Sequence, residues 1–378
     1  MFLALRDLGY AKGRFVLMGL IIALIAFLMT LLSGLASGLI KNNISGLMAL
    51  DITHIAFEYN ERPTYRNSMI EREMWEAWRA TPGVIAAEPM GHTMFSARRP
   101  NDEPLDDVVL WGIERGSFLE PVVVEGEQLS GREDGVIISS LLADKRGVGI
   151  GDVIVLDRVL TELTVIGITE EHNIGHVPIV YTPMRKWQEA TYGPPGGPPP
   201  GEKLPDILFD YASIIALQLS AEVPIEDTDI DAGTSSLTKS EAYEASSGYK
   251  EEVQTVQMIQ GFMVMISALV IGAFFTIWTI QRTQEIGLVK ALGGSTLYLL
   301  KDNLAQVLIL MVLATGFGTA AGLWLGSYFE GRGLPFMLVR DNIIGSSSLL
   351  VIAGVFGALV SVRLIGRIDP IIALGRTR

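Results

Sequence analysis

The amino-acid sequence predicts a helical membrane protein: four transmembrane helices, with a large extracytoplasmic α+β domain inserted between the first and the second. Two observations carry this. No charged residue occurs between Arg14 and Lys41, between Glu252 and Arg282, between Asp302 and Glu330, or between Asp341 and Arg363. As a helix, each run can cross a hydrocarbon core about 30 Å thick. The stretch between the first two runs is, by contrast, ordinary and charged. Residues 42–252 hold 36 acidic and 16 basic residues, and the rest of the chain 6 and 13, within a net charge of −13.

The basic residues outside the insertion orient the chain. Arg6, Lys12 and Arg14 precede the first run; Arg282, Lys290 and Lys301 lie between the second and third; Arg363, Arg367, Arg376 and Arg378 follow the fourth. Four crossings put all three groups on one side, which the positive-inside rule makes the cytoplasm of a bacterial plasma membrane. Both termini are then cytoplasmic and residues 42–250 extracytoplasmic. The chain has no cysteine, so the outer domain must be held by its own core. Its acidity argues against nucleic acid. The first run is longer than a signal-peptide core and reads as a retained anchor.

Residues 1–14 alternate apolar and charged positions at helical spacing, as in a helix lying on the cytoplasmic leaflet. Residues 15–41 form the first span, with Gly34-Leu-Ala-Ser-Gly38 as a face that lets another helix approach. In the insertion, 69–82 reads as a helix stopped by Pro82-Gly83. Strands are expected at 84–87, 108–113, 122–124, 135–138, 153–156, 163–168, 179–181 and 213–219, with a short helix at 140–146. The Pro- and Gly-rich run 194–201 is a surface linker. Residues 226–240 read as a mobile acidic loop, and from Ser240 a stalk helix continues unbroken into the second span, 251–281. The third span (302–329) carries Gly318, Gly322 and Gly326 at four-residue intervals, a close-packing ridge. Residues 330–343 form an outer loop, 344–366 the fourth span and 367–378 a cytoplasmic tail. No internal repeat relates the first span to the last three, which disfavours an inverted-repeat transporter.

The cytoplasmic loop 282–301 contains QRTQEIGLVKALGGS, Gln281–Ser295. It reads as a short helix ended by Gly293-Gly294, with Glu285 and Lys290 on its polar surface. The run R-x-x-E-I-G-L-x-K-A-L-G-G-S resembles the loop after the second span in permeases of the FtsX/MacB/DevC type, the mechanotransmitter class of ABC transporters. The opening L-R-D-L-x-x-x-K-G-R, the stretch from Gly135 to Leu156 and the ending R-I-D-P-I-I-A-L from Arg367 to Leu374 are similar to that family at the same topological positions.

The resemblance implies a permease homodimer working with two copies of a cytoplasmic ABC ATPase. Arg282, Glu285, Ile286, Lys290 and Leu292 would couple it to that partner. The chain lacks the phosphate-cradling G-x-x-x-x-G-K-[ST] pattern, so ATP binding and hydrolysis would belong to the ATPase, and no intrinsic cofactor or enzymatic activity is expected.

Within the family, residues 1–39 look most like heme-exporting permeases of Gram-positive bacteria. Heme iron accepts Met, His and Tyr ligands. By that resemblance Met29 and Glu58 would contact the iron, with His54, Tyr59 and Met263 near; if the first helix continued, His54 and Glu58 would share a face. The expected function is export of heme or a similar amphipathic molecule from the membrane. The rival is a non-transporting mechanotransmitter that regulates an extracytoplasmic enzyme or signalling partner. His172 and His176 read as a hairpin loop rather than a metal site, because Gly175 and Pro178 interrupt any helix. Asp227, Asp229 and Asp231 have calcium-loop spacing but lack its Gly and final Glu, and read as solvated. No histidine occurs in any span, so an intramembrane enzyme has no constellation to stand on.

Overall fold

The computed structural model describes residues 12–129, 131–198, 202–281, 283–330 and 334–366. The expected amphipathic segment 1–14 and the tail 367–378 lie almost wholly outside them. The chain divides into two compact units, Ile40–Glu251 and the remainder.

Four helices among the described residues are long and apolar enough to cross a membrane: α1 (Lys12–Ala49), α7 (Tyr249–Gln281), α9 (Thr296–Phe329) and α10 (Arg340–Gly366). The helical unit packs through Phe15, Met18, Ile22, Ala26 and Met29 of α1, with Ile271, Phe275 and Trp278 of α7, Val307, Met311 and Ala314 of α9, and Leu350 and Ala358 of α10. The α1 residues recur every three or four positions, one helical stripe. The glycine ridge of α9 runs along α1. A Cβ at Gly318 would collide with the Ala23 carbonyl, and one at Gly322 would meet the Thr30 side chain at 2.8 Å. Both numbers rise together, so α1 and α9 run parallel, as an even number of crossings requires. Among the described residues, the Gly34/Gly38 face of α1 is met by a loop and not by a helix. Phe336 and Pro335, in the segment between α9 and α10, fill it, and Met337 N–H donates to Gly34 O at 3.0 Å. A loop serves where a helix was expected because only the absence of Cβ matters to the fit.

The inserted unit contains β1 (His54–Glu58), β2 (Ile70–Glu71), α2 (Arg72–Ala80), β3 (Val84–Arg98), β4 (Pro104–Ile113), β5 (Val123–Gly126), β6 (Gly135–Ser139), α3 (Ser140–Arg146), β7 (Val153–Leu156), β8 (Thr161–Thr169), β9 (Asn173–Ile174), β10 (Val177–Pro183), α4 (Met184–Tyr192), β11 (Tyr211–Ala212), β12 (Ile214–Leu219), α5 (Ile225–Ala232), β13 (Thr234–Thr238) and α6 (Lys239–Ala242). The pairings β3–β4, β4–β10, β10–β6, β6–β8, β8–β7 and β7–β3 close a six-strand ring. β12, β1 and β13 extend it from the first half of β3. Alternate residues serve two cores. Leu110, Val136, Val180 and Ile215 enter one, with Trp75, Trp78 and Trp187; Trp111, Ile137, Tyr181 and Ile214 enter the other. Strands covered on both faces read as continuous apolar runs, which is why they were legible. Gly91 pairs with Gly112 across β3 and β4, and Trp187 lies against both where any Cβ would clash.

Two expectations are corrected. The acidic run 226–240 is α5 followed by β13. Asp229 is a built-in acceptor, taking hydrogen bonds from Thr234 Oγ1 (2.6 Å) and from the backbone and hydroxyl of Ser236 (2.9 and 2.8 Å), and Trp78 Nε1–H donates to Thr234 Oγ1. The expected unbroken stalk is interrupted at Ser246–Gly248, where Gly248 has φ +79°, and α7 starts afresh at Tyr249.

His92 is buried with its Nδ1 accepting from Trp111 Nε1–H at 3.1 Å. Burial, and secondarily the Arg66 charge, push its pKa from 6.5 to about 4. The folded ring stays neutral where the unfolded one takes a proton. Its contribution to stability is therefore complete above pH 6.5 and is lost as pH falls towards 4, by at most about 1.4 kcal/mol per pH unit. Burial lowers His54 and His172 in the same direction. Thermal unfolding of the full chain at pH 7 and pH 5 should show a drop that shrinks in His92→Gln, which can keep an acceptor for Trp111. An equal drop in both proteins would assign the pH dependence elsewhere.

Candidate functional site

The loop between the second and third spanning helices contains α8, Thr283–Ala291. Its end is built by two glycines. Gly293 has φ +93°, its N–H donates to Lys290 O at 3.0 Å, and Gly294 N–H reaches back to Val289 O at 2.9 Å. This pairing closes a helix through a left-handed residue. Ser295 then caps α9, its hydroxyl accepting from Tyr298 N–H at 3.2 Å. Two caps within three residues fix how α8 leaves α9, so its faces are set by the backbone.

Of the residues expected to couple, Arg282 lies outside the described residues, and Glu285 is placed on α8 by its backbone. Ile286 is turned inward, 9% exposed, whereas Leu292, just past the helix end, is 81% exposed. Lys290 is half-buried. Leu288, absent from the expected set, is 51% exposed. It lies four residues before Leu292, one helical turn away on the same face; that spacing was the signal available.

Met29 belongs to the buried stripe of α1 and is 2% exposed. Met263 of α7 packs partly buried against the same cluster, so the structure brings these two sulfurs into one apolar core. His54, Glu58 and Tyr59 belong to the inserted unit. α1 ends at Ala49 and residues 54–58 form β1, which corrects the expected helical continuation. On a strand, positions four apart still share a face, but at about 13 Å rather than the roughly 6 Å of a helical turn. His54 and Glu58 thus cannot close on one iron together. His54 Nδ1 lies 3.1 Å from Thr53 Oγ1. Glu58 Oε2 accepts from Met69 N–H at 3.2 Å, and Tyr59 is 74% exposed.

His172 immediately precedes β9, and His176 sits in the turn of the β9–β10 hairpin. His172 Nδ1 lies 2.8 Å from the Tyr181 hydroxyl, and His176 faces Asn42 and Asn43.

Residues 15–229 match the MacB-like periplasmic core domain, and residues 258–370 match the FtsX-like permease C-terminal region. Over 373 residues, 99% of each chain, the sequence is 24% identical to a protein of Staphylococcus epidermidis described as a putative hemin transport system permease, HrtB. It is 21% identical over 380 residues, again 99% of each, to an uncharacterized ABC transporter permease of Mycobacterium tuberculosis. Among solved structures, the periplasmic region of MacB from Actinobacillus actinomycetemcomitans aligns with a TM-score of 0.36 at 13% identity, covering 53% of this chain and 94% of that one. With the first match alone spanning more than half of the residues and the second taking up the spanning helices that follow, the chain belongs to the family of MacB- and FtsX-like ABC transporter permeases, membrane proteins with an extracytoplasmic domain between the first two helices.

Proposed function

We propose that this chain is the permease subunit of an ABC-type efflux transporter that moves heme or a similar amphipathic molecule out of the membrane. A separate cytoplasmic ATPase drives it, two copies acting on a homodimer of this chain. The supporting observation is the end-to-end similarity to a putative hemin transport permease. The doubly capped α8 and its exposed leucines give the ATPase a fixed surface to push. The short basic loops support a cytoplasmic position for α8 and both termini, and the sequence carries no phosphate-cradling G-x-x-x-x-G-K-[ST] pattern.

In this reading Met29 and Glu58 contact the heme, with His54, Tyr59 and Met263 as secondary candidates. Because Met29 is enclosed by its neighbours, a guest reaches its sulfur only when the helices part. Expulsion is then the return of the helices to the closed packing described here. ATP binding must favour that closed state through contacts the open one does not make.

The rival reading, a non-transporting mechanotransmitter, draws on the same enclosure. Among the described residues, surface clefts of about 200 Å³ open on the inserted unit beside Arg115 and Arg185 and beside Arg72 and Arg79. The two readings part in lipid vesicles holding the chain with its ATPase. Export requires heme to raise ATP hydrolysis and ATP to move heme to an outside acceptor. Hydrolysis that responds only to an extracytoplasmic protein would establish the rival. In the same preparation, Met29→Ala and Glu58→Ala should each alter the absorption spectrum of added heme; spectra identical to the parent's would remove both residues as contacts.

A further inference from the structure

We infer that the β9–β10 hairpin splints the outer end of α1 into a stiff joint, with Asn43 as its positioning residue, and that movement of the helices reaches the extracytoplasmic domain through it. The inference rests on the proposal that an ATPase moves those helices.

α1 is continuous from Lys12 to Ala49 except at Ile44, whose φ of −125° and ψ of 16° are not helical. A helix that breaks its hydrogen-bond ladder bends at the break, and such kinks have an inserted group as one cause. Here the inserted group is the hairpin tip. Gly175 N–H donates to Asn43 O at 2.8 Å, on one side of the kink. Asn173 N–H donates to Ser45 Oγ at 2.8 Å on the other. Glu171 Oε1 accepts from Asn42 Nδ2 at 3.1 Å. The His176 ring lies 3.0 Å from Asn42 Oδ1 through Nδ1 and 3.5 Å from Asn43 Nδ2 through Nε2.

The tip itself is preset. Gly175 and His176 have φ of +59° and +64°, two consecutive left-handed residues between the paired Ile174 and Val177, as a tight two-residue hairpin turn needs. Histidine is among the few non-glycine types that tolerate that region, and the ring's contacts to Asn42 and Asn43 fix it there.

Asn43, fully buried, also reaches the second connection between helices and domain. Its Oδ1 accepts from Ser246 Oγ at 2.8 Å and its Nδ2 donates to Ser247 O at 3.2 Å. Ser246–Gly248 is the break that precedes α7. One side chain thus ties the outgoing segment, the hairpin and the returning segment. The hairpin is rooted in the ring, since β10 lies between β4 and β6. The last turns of α1 sit flush on it: a Cβ at Gly46 would collide with Ile179 of β10. A push along α1 therefore meets a strand at the centre of the sheet and not a surface loop.

The full chain with its ATPase in lipid vesicles tests this. Asn43→Leu keeps a branched side chain of four heavy atoms, adds some volume, and removes the side-chain contacts to Ser246, Ser247 and His176 while leaving the Gly175 bond to the Asn43 carbonyl in place. It should leave heme-stimulated ATP hydrolysis within about twofold of the parent and lower heme efflux about fivefold or more, the equivalent of at least one buried hydrogen bond. Ser246→Ala, which spares the hairpin contacts, should change efflux in the same direction and serves if Asn43→Leu does not assemble. The chain has no cysteine, so Ser45→Cys with Asn173→Cys supplies a unique thiol pair across the joint. Oxidised in the Asn43→Leu background, it should restore efflux. Efflux per ATP at the parent level in Asn43→Leu and Ser246→Ala, or a formed disulfide that restores nothing, would overturn the joint. Amide exchange supplies a readout independent of cargo: Asn43→Leu should speed exchange at 171–177 and 246–249 together. Unchanged exchange in both segments would overturn the joint; coupled exchange in a chain whose parent moves no heme would leave it standing and sink the transport reading instead.

Discussion

Replacing Leu288 and Leu292 by aspartate should abolish heme-stimulated ATP hydrolysis while leaving the fold of the chain intact. Both side chains are largely exposed, at 51% and 81%, so neither contributes much to the chain's own packing. They protrude one turn apart from a helix whose end is fixed by the Gly293–Gly294 closure. Burying a leucine against a partner contributes about 1.5–3 kcal/mol. Losing two such contacts, with two carboxylates to desolvate, should weaken docking of the ATPase by at least roughly a hundredfold, at about 1.4 kcal/mol per factor of ten. Co-purification of the ATPase with the double variant, its hydrolysis rate with and without heme, and the melting temperature of the permease alone measure this. Full stimulation in the double variant would place the coupling surface elsewhere. Ile286→Asp provides the contrast. Its side chain is 9% exposed, so it should lower the melting temperature first and coupling only in consequence.

The parts legible in the sequence were those whose physics is local. Long charge-free runs became the four spanning helices, and doubly buried strands such as β7 (Val153–Leu156) matched their apolar runs residue for residue. Where composition and structure part, the cause is a distant partner. The acidic stretch at 226–240 looks solvated because acceptors usually face water. Asp229 instead serves hydroxyl and backbone donors five and seven residues away. Ser246–Gly248 was hidden inside a helical pattern, although its glycine was a visible break signal. The burial of Met29 was legible, since its three- and four-residue spacing with Met18, Ile22 and Ala26 places it on the stripe that becomes the bundle core. His54 and Glu58 keep the shared face expected of them, but on a strand. The contacts of Asn43 with His176 of the hairpin and with Ser247 span more than a hundred positions and leave no local trace.

Gly318→Ala should destabilise the helical unit, whereas Gly316→Ala, two residues earlier on the same helix, should not. Both substitutions add one methyl group and the same intrinsic helix preference, worth about 0.8–1 kcal/mol in favour of alanine. They differ only in what that methyl meets. At Gly316 nothing lies within 4 Å of the point a Cβ would occupy; at Gly318 the Ala23 carbonyl is already there. Lipid supplies no hydrophobic drive for helices to associate, so close backbone approach carries much of the packing. A clash with backbone is not relieved by rotating a side chain, and overpacking of this kind costs about 1–3 kcal/mol. The helix-preference gain offsets part of that at Gly318 and stands alone at Gly316. Thermal unfolding of the two variants in one detergent should therefore move in opposite directions from the parent, or leave Gly316→Ala unchanged while Gly318→Ala falls. Gly318→Leu should go further and break the α1–α9 contact, visible as loss of a monodisperse protein. Equal melting temperatures for Gly316→Ala and Gly318→Ala would mean that α9 does not lie along α1 through its glycine ridge, and the parallel pairing of first and third spans would fall with it.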